Sequence, residues 1–241
     1  LILFTDSLDY DLNQNLGYYF DRGLTLNGED SLRSVYGYYY ADDDEFFFKE
    51  EVEIINPNFK MYSDTLKHNT KTKISYFMGP TDIISDSNYI YCENGWYDHD
   101  NNIAQFQKNA YLKKKEQTLR GDSLYYDRKI RVGKAFNNVE AIDSTQNALL
   151  LGNYGEYHEI SEMSIMTDSA QFIQIQKKDS LYMHADTIMS IKDSLLTKTD
   201  TSHLSIIKAF YKVKIFKSDF QAKCDSLIYT LLDSTFELHR Y

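Results

Sequence analysis

Proline occurs only twice and glycine ten times in 241 residues, and there are two cysteines, Cys92 and Cys224. So little proline, beside 21 tyrosines and 14 phenylalanines, excludes a disordered chain, which would be proline-rich and poor in aromatics. So few glycines leave no phosphate-cradling loop, and neither a Gly-x-Ser-x-Gly elbow nor a His-Glu-x-x-His pair occurs. Two cysteines cannot form a disulfide framework and fit no zinc-site spacing. No apolar run approaches the ~20 residues that a membrane-spanning helix needs. Positive charge is scarce: 26 Lys and Arg against 36 Asp and Glu give a net charge of -10, which lacks the electrostatic footprint of a nucleic-acid binder. The opening Leu1-Ile2-Leu3-Phe4 carries no basic n-region, so any signal peptide is expected to have been removed. The ending Leu238-His239-Arg240-Tyr241 has no capping turn, as expected of the N-terminal portion of a longer protein.

What the chain does have is internal self-similarity. Asp6-Ser7-Leu8, Asp64-Thr65-Leu66 and Asp122-Ser123-Leu124 recur at an even spacing, and a fourth copy starts at Asp186-Thr187-Ile188. Gly37-Tyr38-Tyr39, Gly95-Trp96-Tyr97 and Gly155-Glu156-Tyr157 keep nearly the same offset, as do the pairs Phe48 and Phe106, Val52 and Ala110, Ile54 and Leu112, and Met61 and Leu119. The repeats run 6–63, 64–121, 122–185 and 186–241 within a single domain over 1–241.

Apolar residues inside each unit alternate, and β-branched and aromatic types dominate, which predicts strands. Alternation places Leu124 and Tyr126 on one face and Ser123, Tyr125 and Asp127 on the other. The column Leu8, Leu66, Leu124, Ile188 and Leu227 stays apolar and is predicted to face inward, while Asp9, Lys67 and Tyr125 face out. Turn chemistry is read at Asn137-Asn138, Gly152-Asn153 and Asp193-Ser194, and a short helix at 201–209. Each unit is long enough for about four strands of typical length, which makes roughly sixteen in all. Such units bury an apolar face only by stacking on their neighbours. In that stack the two cysteines lie at least one unit apart and are predicted to be free thiols.

Ala104-Gln105-Phe106-Gln107-Lys108-Asn109-Ala110-Tyr111-Leu112, followed by Leu119-Arg120-Gly121-Asp122-Ser123-Leu124-Tyr125-Tyr126, resembles the strand pair of OstA-like proteins, the periplasmic lipopolysaccharide-transport family that includes LptA. Ala135-Phe136-Asn137-Asn138-Val139-Glu140-Ala141 and Lys208-Ala209-Phe210-Tyr211-Lys212-Val213 resemble the same element. The chain departs from the bridge protein of that family in length, in its tyrosine content and at residues 107 and 108, where a Thr-Gly is common. The resemblance implies an all-β fold: an elongated, V-shaped antiparallel β-jellyroll, here built from stacked repeats of about 58 residues. Its interior would hold the acyl chains of lipopolysaccharide or its lipid A part, and its end strands would pair with other jellyroll subunits of a bridge between membranes. The expected lining is the inward column Leu8, Leu66, Leu124, Ile188 and Leu227, joined by Phe106, Leu112, Leu119, Tyr126 and Phe136. The expected setting is the periplasm, in association with the outer membrane, with a homo-oligomer through the end strands as a further expectation.

Candidate chemistry elsewhere is weighed against plainer readings. The six histidines, His68, His99, His158, His184, His203 and His239, are scattered, and a strand position explains His68 and His184 better than a ligand role does. Asp98-His99-Asp100-Asn101-Asn102 has alternating oxygens, yet Ile103 stands where a calcium loop needs Gly and Asn109 where it needs a bidentate Glu, so a polar hairpin tip is expected. Asp42-Asp43-Asp44-Glu45 reads as a similar tip. The Asp-Ser/Thr pairs at 6, 64, 122, 186 and 225 recur with the repeat, as turns at strand beginnings would, whereas a glycosidase needs one singular carboxyl pair. Lys113-Lys114-Lys115 and Lys212, Lys214 and Lys217 read first as solvated or edge-protecting charges, with lipid phosphates as the other partner. Neither a cofactor nor a metal is expected, and no catalytic residue is assigned. Two rival readings stay open: a polysaccharide-binding or polysaccharide-cleaving β-solenoid, with outward tyrosines such as Tyr38 and Tyr125 as stacking platforms, and a purely structural assembly repeat.

Overall fold

The computed structural model describes residues 2–86, 88–176, 179–192, 205–231 and 233–240. Among them there is no helix; nineteen antiparallel strands form two compact units, Leu1–Lys115 and Glu116–Tyr241. The chain is all-β, as the alternation predicts, and its antiparallel hairpins form the jellyroll that the family resemblance implies.

In the first unit the strands are β1 (Ile2–Thr5), β2 (Asp9–Asp11), β3 (Leu16–Tyr19), β4 (Gly23–Asn27), β5 (Asp30–Ser34), β6 (Tyr36–Tyr40), β7 (Glu45–Asn56), β8 (Phe59–Asn69), β9 (Ile74–Ile84), β10 (Tyr89–Asp98) and β11 (Ile103–Lys114). The second holds β12 (Gln117–Asp127), β13 (Val132–Asp143), β14 (Ala148–His158), β15 (Met163–Gln174), β16 (Leu181–Lys192), β17 (Ser205–Lys217), β18 (Phe220–Thr230) and β19 (Thr235–His239). Residues 205–209, expected as part of a helix, belong to β17; the β-branched pair Ile206-Ile207 suits the pleat.

From β7 onward the strands are long, all but the last, and most turn a corner at mid-length. At each corner the ladder breaks with one strand carrying one residue more than its neighbour, and in six ladders two residues oppose one. Glu50-Glu51 oppose Asp64, Gly79-Pro80 oppose both Asp64 and Glu93, Asn137-Asn138 oppose Asn153, Asp168-Ser169 oppose Asp186, and Tyr211-Lys212 oppose Asp225. Both residues of the non-glycine pairs sit in the left-handed region, with φ between 49° and 68°. Asn and Asp tolerate that conformation best, which is why Asn137-Asn138 looks like a turn in the sequence. The turn chemistry at Asn137-Asn138 and Gly152-Asn153 is therefore spent on mid-strand corners, and so are the recurrent aspartates Asp64, Asp122, Asp186 and Asp225. Asp193-Ser194 lies outside the described residues.

The corner residues of neighbouring hairpins bond to each other. Asn109 Nδ2 donates to Glu93 Oε1 at 2.7 Å, and Asn138 Nδ2 to both carboxylate oxygens of Asp122 at 3.2 Å. Arg22 pairs with Glu51 at 2.9 Å and Lys212 with Asp186 at 3.6 Å. These corners halve the apparent repeat, because Asp64, Glu93 and Asp122 are evenly spaced, with one hairpin to each step. The residue just past each two-residue bulge points into the bend and is almost wholly buried: Val52, Ala110, Val139, Ala170 and Val213.

Several hairpin tips share one design. Asp98 Oδ1 accepts from the backbone N–H groups of Asp100 and Asn101, and Asn69 and Asp127 cap their own tips likewise. The acidic segments at 42–45 and 98–102 are accordingly hairpin tips, with Asp44 and Asn102 in the left-handed conformation.

Candidate functional site: the inner faces of the bent hairpins

Each corner divides its strand into two arms, so each unit has two sheet walls with inner faces set by the alternation of side chains. In the first unit, the inner row nearest the corner on the first wall reads Tyr19, Gly37, Phe48, Leu66, Phe77, Gly95 and Phe106 across successive strands. Five of these seven are apolar side chains at most 8% exposed. On the second wall the inner row is Leu3, Thr25, Leu32, Ile54, Met61, Ile83, Ile90 and Leu112. Seven of eight positions there are aliphatic, and most are only half-buried.

The second unit repeats the arrangement. Its first wall carries Leu124, Ala135, Gly155, Met166, Ile188, Ala209 and Leu227 in one inner row. Its second wall carries Leu119, Ala141, Leu150, Phe172, Met183, Ile215 and Ala222. The two walls of this unit touch where the Phe172 and Tyr229 rings meet edge-on at 6.3 Å between centroids.

Of the residues the sequence picks out, Leu66 and Phe106 share the first-wall inner row of the first unit, and Leu112 lies on its second wall. Leu124, Ile188 and Leu227 share the first-wall inner row of the second unit; Tyr126 occupies the next inner row and Leu119 the second wall. Two positions differ. Phe136 lies on the outer face, opposite Tyr154 with 5.4 Å between rings, because Ala135 is the residue that points inward before the bulge. The single-hairpin step carries Phe48 to Phe77, Phe106 and then Ala135, so Ala135 and not Phe136 holds the inward position. Leu8 lies off the strands, in the break between β1 and β2, and is 60% exposed. It borders a hollow of about 1280 Å³ with Phe4, Leu24, Arg33 and Tyr62.

The second-wall rows are the part that sequence reasoning leaves largely unread. Ile54, Met61, Ile83, Ile90, Leu150, Phe172, Met183 and Ile215 all lie there. The signal was present, since Ile54 matches Leu112 and Met61 matches Leu119 one full repeat on, but the corners reset the alternation and hide the row.

Tyr19 apart, titratable groups lie outside these rows. Tyr154 donates to Glu156, which also accepts from His158 Nε2 at 3.1 Å and lies 3.7 Å from Lys134; the Tyr154 hydrogen bond is the chief reason that the Glu156 carboxyl is held low. Hydrogen bonds from Ser218 lower Asp179, and those from Thr235 lower Asp233. Among the described residues no group of three or more His, Cys, Asp and Glu is placed to hold a metal ion.

The sequence profile of the family described as OstA-like protein matches residues 1–64 and 82–182. The chain belongs to the OstA-like protein family. Within this OstA-like chain the matched segments include the inward Phe106, Leu112, Leu119, Leu124 and Tyr126, whereas Leu66, Ile188 and Leu227 fall outside them. No curated protein matches the chain. Among solved structures it is similar to LptH, the LptA-homologous periplasmic component of the lipopolysaccharide transport device from Pseudomonas aeruginosa, with 13% identity over 53% of this chain and 86% of that one and a TM-score of 0.37.

Proposed function

We propose that this OstA-like chain is a non-catalytic periplasmic carrier that takes up the acyl chains of lipopolysaccharide, or of its lipid A part, against its inner walls. The observation that carries the reading is the pair of aliphatic second-wall rows, Leu3 to Leu112 and Leu119 to Ala222. A methylene moved from water onto such a surface gains ~0.8 kcal/mol, so several acyl chains would bind without any specific polar contact. The half-buried residues of the first unit's row supply apolar surface still open to a ligand. In this reading residues 1–241 act as one jellyroll. Its end strands carry its association with other jellyroll subunits of a bridge at the outer membrane: among the described residues β1 pairs with β4 alone and β19 with β18 alone. Ile2, Leu3 and Phe4 stand exposed on β1, a surface suited to strand addition. The carboxyl groups with displaced pKa values, Glu156, Asp179 and Asp233, all move down, whereas a glycosidic general acid must move up.

Organic extraction of protein purified from a Gram-negative periplasm, followed by mass spectrometry, tests the carrier reading. Lipid A-type acyl species in amounts comparable to the protein are expected; protein that stays lipid-free after loading with lipopolysaccharide contradicts it.

One observation favours a second reading, polysaccharide binding. The outer face of the first wall of the first unit presents Tyr18, Tyr38, Phe47, Lys67, Tyr76 and Trp96 in one cross-strand row, flanked by Phe20 and Tyr40. Tyr38 packs at 6.2 Å from both Phe20 and Phe47 and at 6.5 Å from Tyr40. Binding of lipid-free polysaccharide that is lost in Tyr38→Ala would support this surface as a saccharide platform.

A further inference from the structure

At the tip-side rim of the first wall in the first unit, two imidazoles converge on one hydroxyl. His68 on β8 pairs across the ladder with Ser75 on β9, and Ser75 with Tyr97 on β10. Ser75 Oγ lies 3.0 Å from His68 Nδ1 and 2.9 Å from His99 Nε2, the latter just past the end of β10. The rings stand nearly perpendicular, at 84° with centroids 5.5 Å apart, and Tyr97 braces His99 edge-on at 4.6 Å. Ser75 has one hydroxyl hydrogen, so it donates to one ring while the other ring donates to it. The hydroxyl thus occupies the one point toward which a nitrogen from each ring is directed.

We propose that His68 and His99 form a two-imidazole site for a divalent transition-metal ion of the Zn²⁺, Cu²⁺ and Ni²⁺ class. Such ions sit about 2.0–2.1 Å from imidazole nitrogen. The rings would close on the point now held by the Ser75 hydroxyl, which leaves it by rotating to another staggered rotamer. Solvent, or the Ser75 oxygen itself, fills the remaining positions, since the described residues add no third His, Cys, Asp or Glu to the pair. Imidazole binds such ions in its neutral form, so uptake is favoured at neutral and higher pH. Asp98, Asp100 and Asp30 lend His99 negative potential that favours a cation, and Lys73 opposes it. A bound ion would cross-link β8 to the tip of the hairpin formed by β10 and β11, stiffening the rim of the inner face.

The test is calorimetric titration of chelator-stripped whole protein with ZnCl₂ and with NiCl₂ at neutral pH, alongside thermal melts. Saturable uptake of one ion per chain is expected, with a higher melting temperature. Affinity should fall at least about tenfold in His68→Gln and in His99→Gln. His184→Gln should behave as wild type, and Ser75→Ala should retain binding. Because either imidazole variant could disturb folding, nitrogen chemical shifts of the wild-type histidines provide an independent readout: zinc should move Nδ1 of His68 and Nε2 of His99 and leave the other rings alone. No saturable binding by the wild type, binding unchanged in both imidazole variants, or zinc-induced shifts at other histidines would each overturn the site.

Discussion

Tyr229 on β18 donates its phenolic hydroxyl to Gln174 Oε1 on β15 at 2.5 Å, joining the two walls of the second unit across their inner faces. The ring is 1% exposed, stacked on Phe236 at 4.4 Å and edge-on to Phe172. The packing should outweigh the hydrogen bond. Tyr229→Phe is expected to lower stability by about 1 kcal/mol and Tyr229→Ala by about 3–5 kcal/mol in urea denaturation. Equal losses would mean that the ring contacts contribute little.

The Tyr19 ring sets a second expectation. It fills the space above two glycines, such that a Cβ on Gly37 would meet it at 2.2 Å and one on Gly23 at 2.3 Å, while its hydroxyl is 2.7 Å from Ser34 Oγ. Gly37→Ala should lower stability by about 1–3 kcal/mol through overpacking. At Gly133 a Cβ would find its nearest neighbour at an ordinary 3.7 Å, so Gly133→Ala should be tolerated. Comparison of the two thermal melts checks this, and equal behaviour would contradict the packing of Tyr19.

Corner geometry predicts a substitution pattern opposite to that of ordinary strands. Asn138, at φ 49° and bonded to Asp122, should accept Gly with little loss, whereas Asn138→Val should lower stability by about 1–3 kcal/mol despite its strand propensity. Melting temperatures of the two variants give the answer; a more stable Val variant would show that the residue is not held in the left-handed region.

These corners also explain what could and could not be read from the sequence. The all-β class, the recurrence of Asp64-Thr65-Leu66 at Asp122-Ser123-Leu124, and the inward placement of Leu66, Leu124, Ile188 and Leu227 follow from alternation between corners. The shorter, single-hairpin period was obscured because alternate corners carry different residues, Asp64 and Asp122 in one set but Glu93 and Asn153 in the other. Phe136 points out because it alternates with an inward Ala135 on the same strand. The pairing of His68 with His99 through Ser75 joins β8 and β9 to a residue just past β10, and no local pattern announces it.

The two cysteines are free, as the spacing of the repeats predicts. Cys92 is fully buried, and that burial pushes its thiol up to about 11, while Cys224 is only half-buried. A raised pKa means that the stability contributed by Cys92 is complete below the thiol's ordinary value of 9.0 and is lost as pH rises through about 11. In the native protein Cys224 should react with a disulfide reagent well before Cys92, and both should react once denatured. Equal native rates would contradict the burial of Cys92.

Lipid uptake by the inner walls is tested most directly by placing one charge on either face of the same strand. Leu112 lies on the inner face of β11, opposite Ile90, and its neighbour Tyr111 lies on the outer face, opposite Tyr91. Displacement of a fluorescent fatty-acyl probe by lipopolysaccharide is measured for Leu112→Asp and Tyr111→Asp, with melts to show that both are folded. A carboxylate on the inner wall should weaken binding by at least about tenfold, or about 1.4 kcal/mol, and one on the outer face should leave it unchanged. Equal binding by two folded variants, or loss at Tyr111 alone, would contradict a lipid site between the walls.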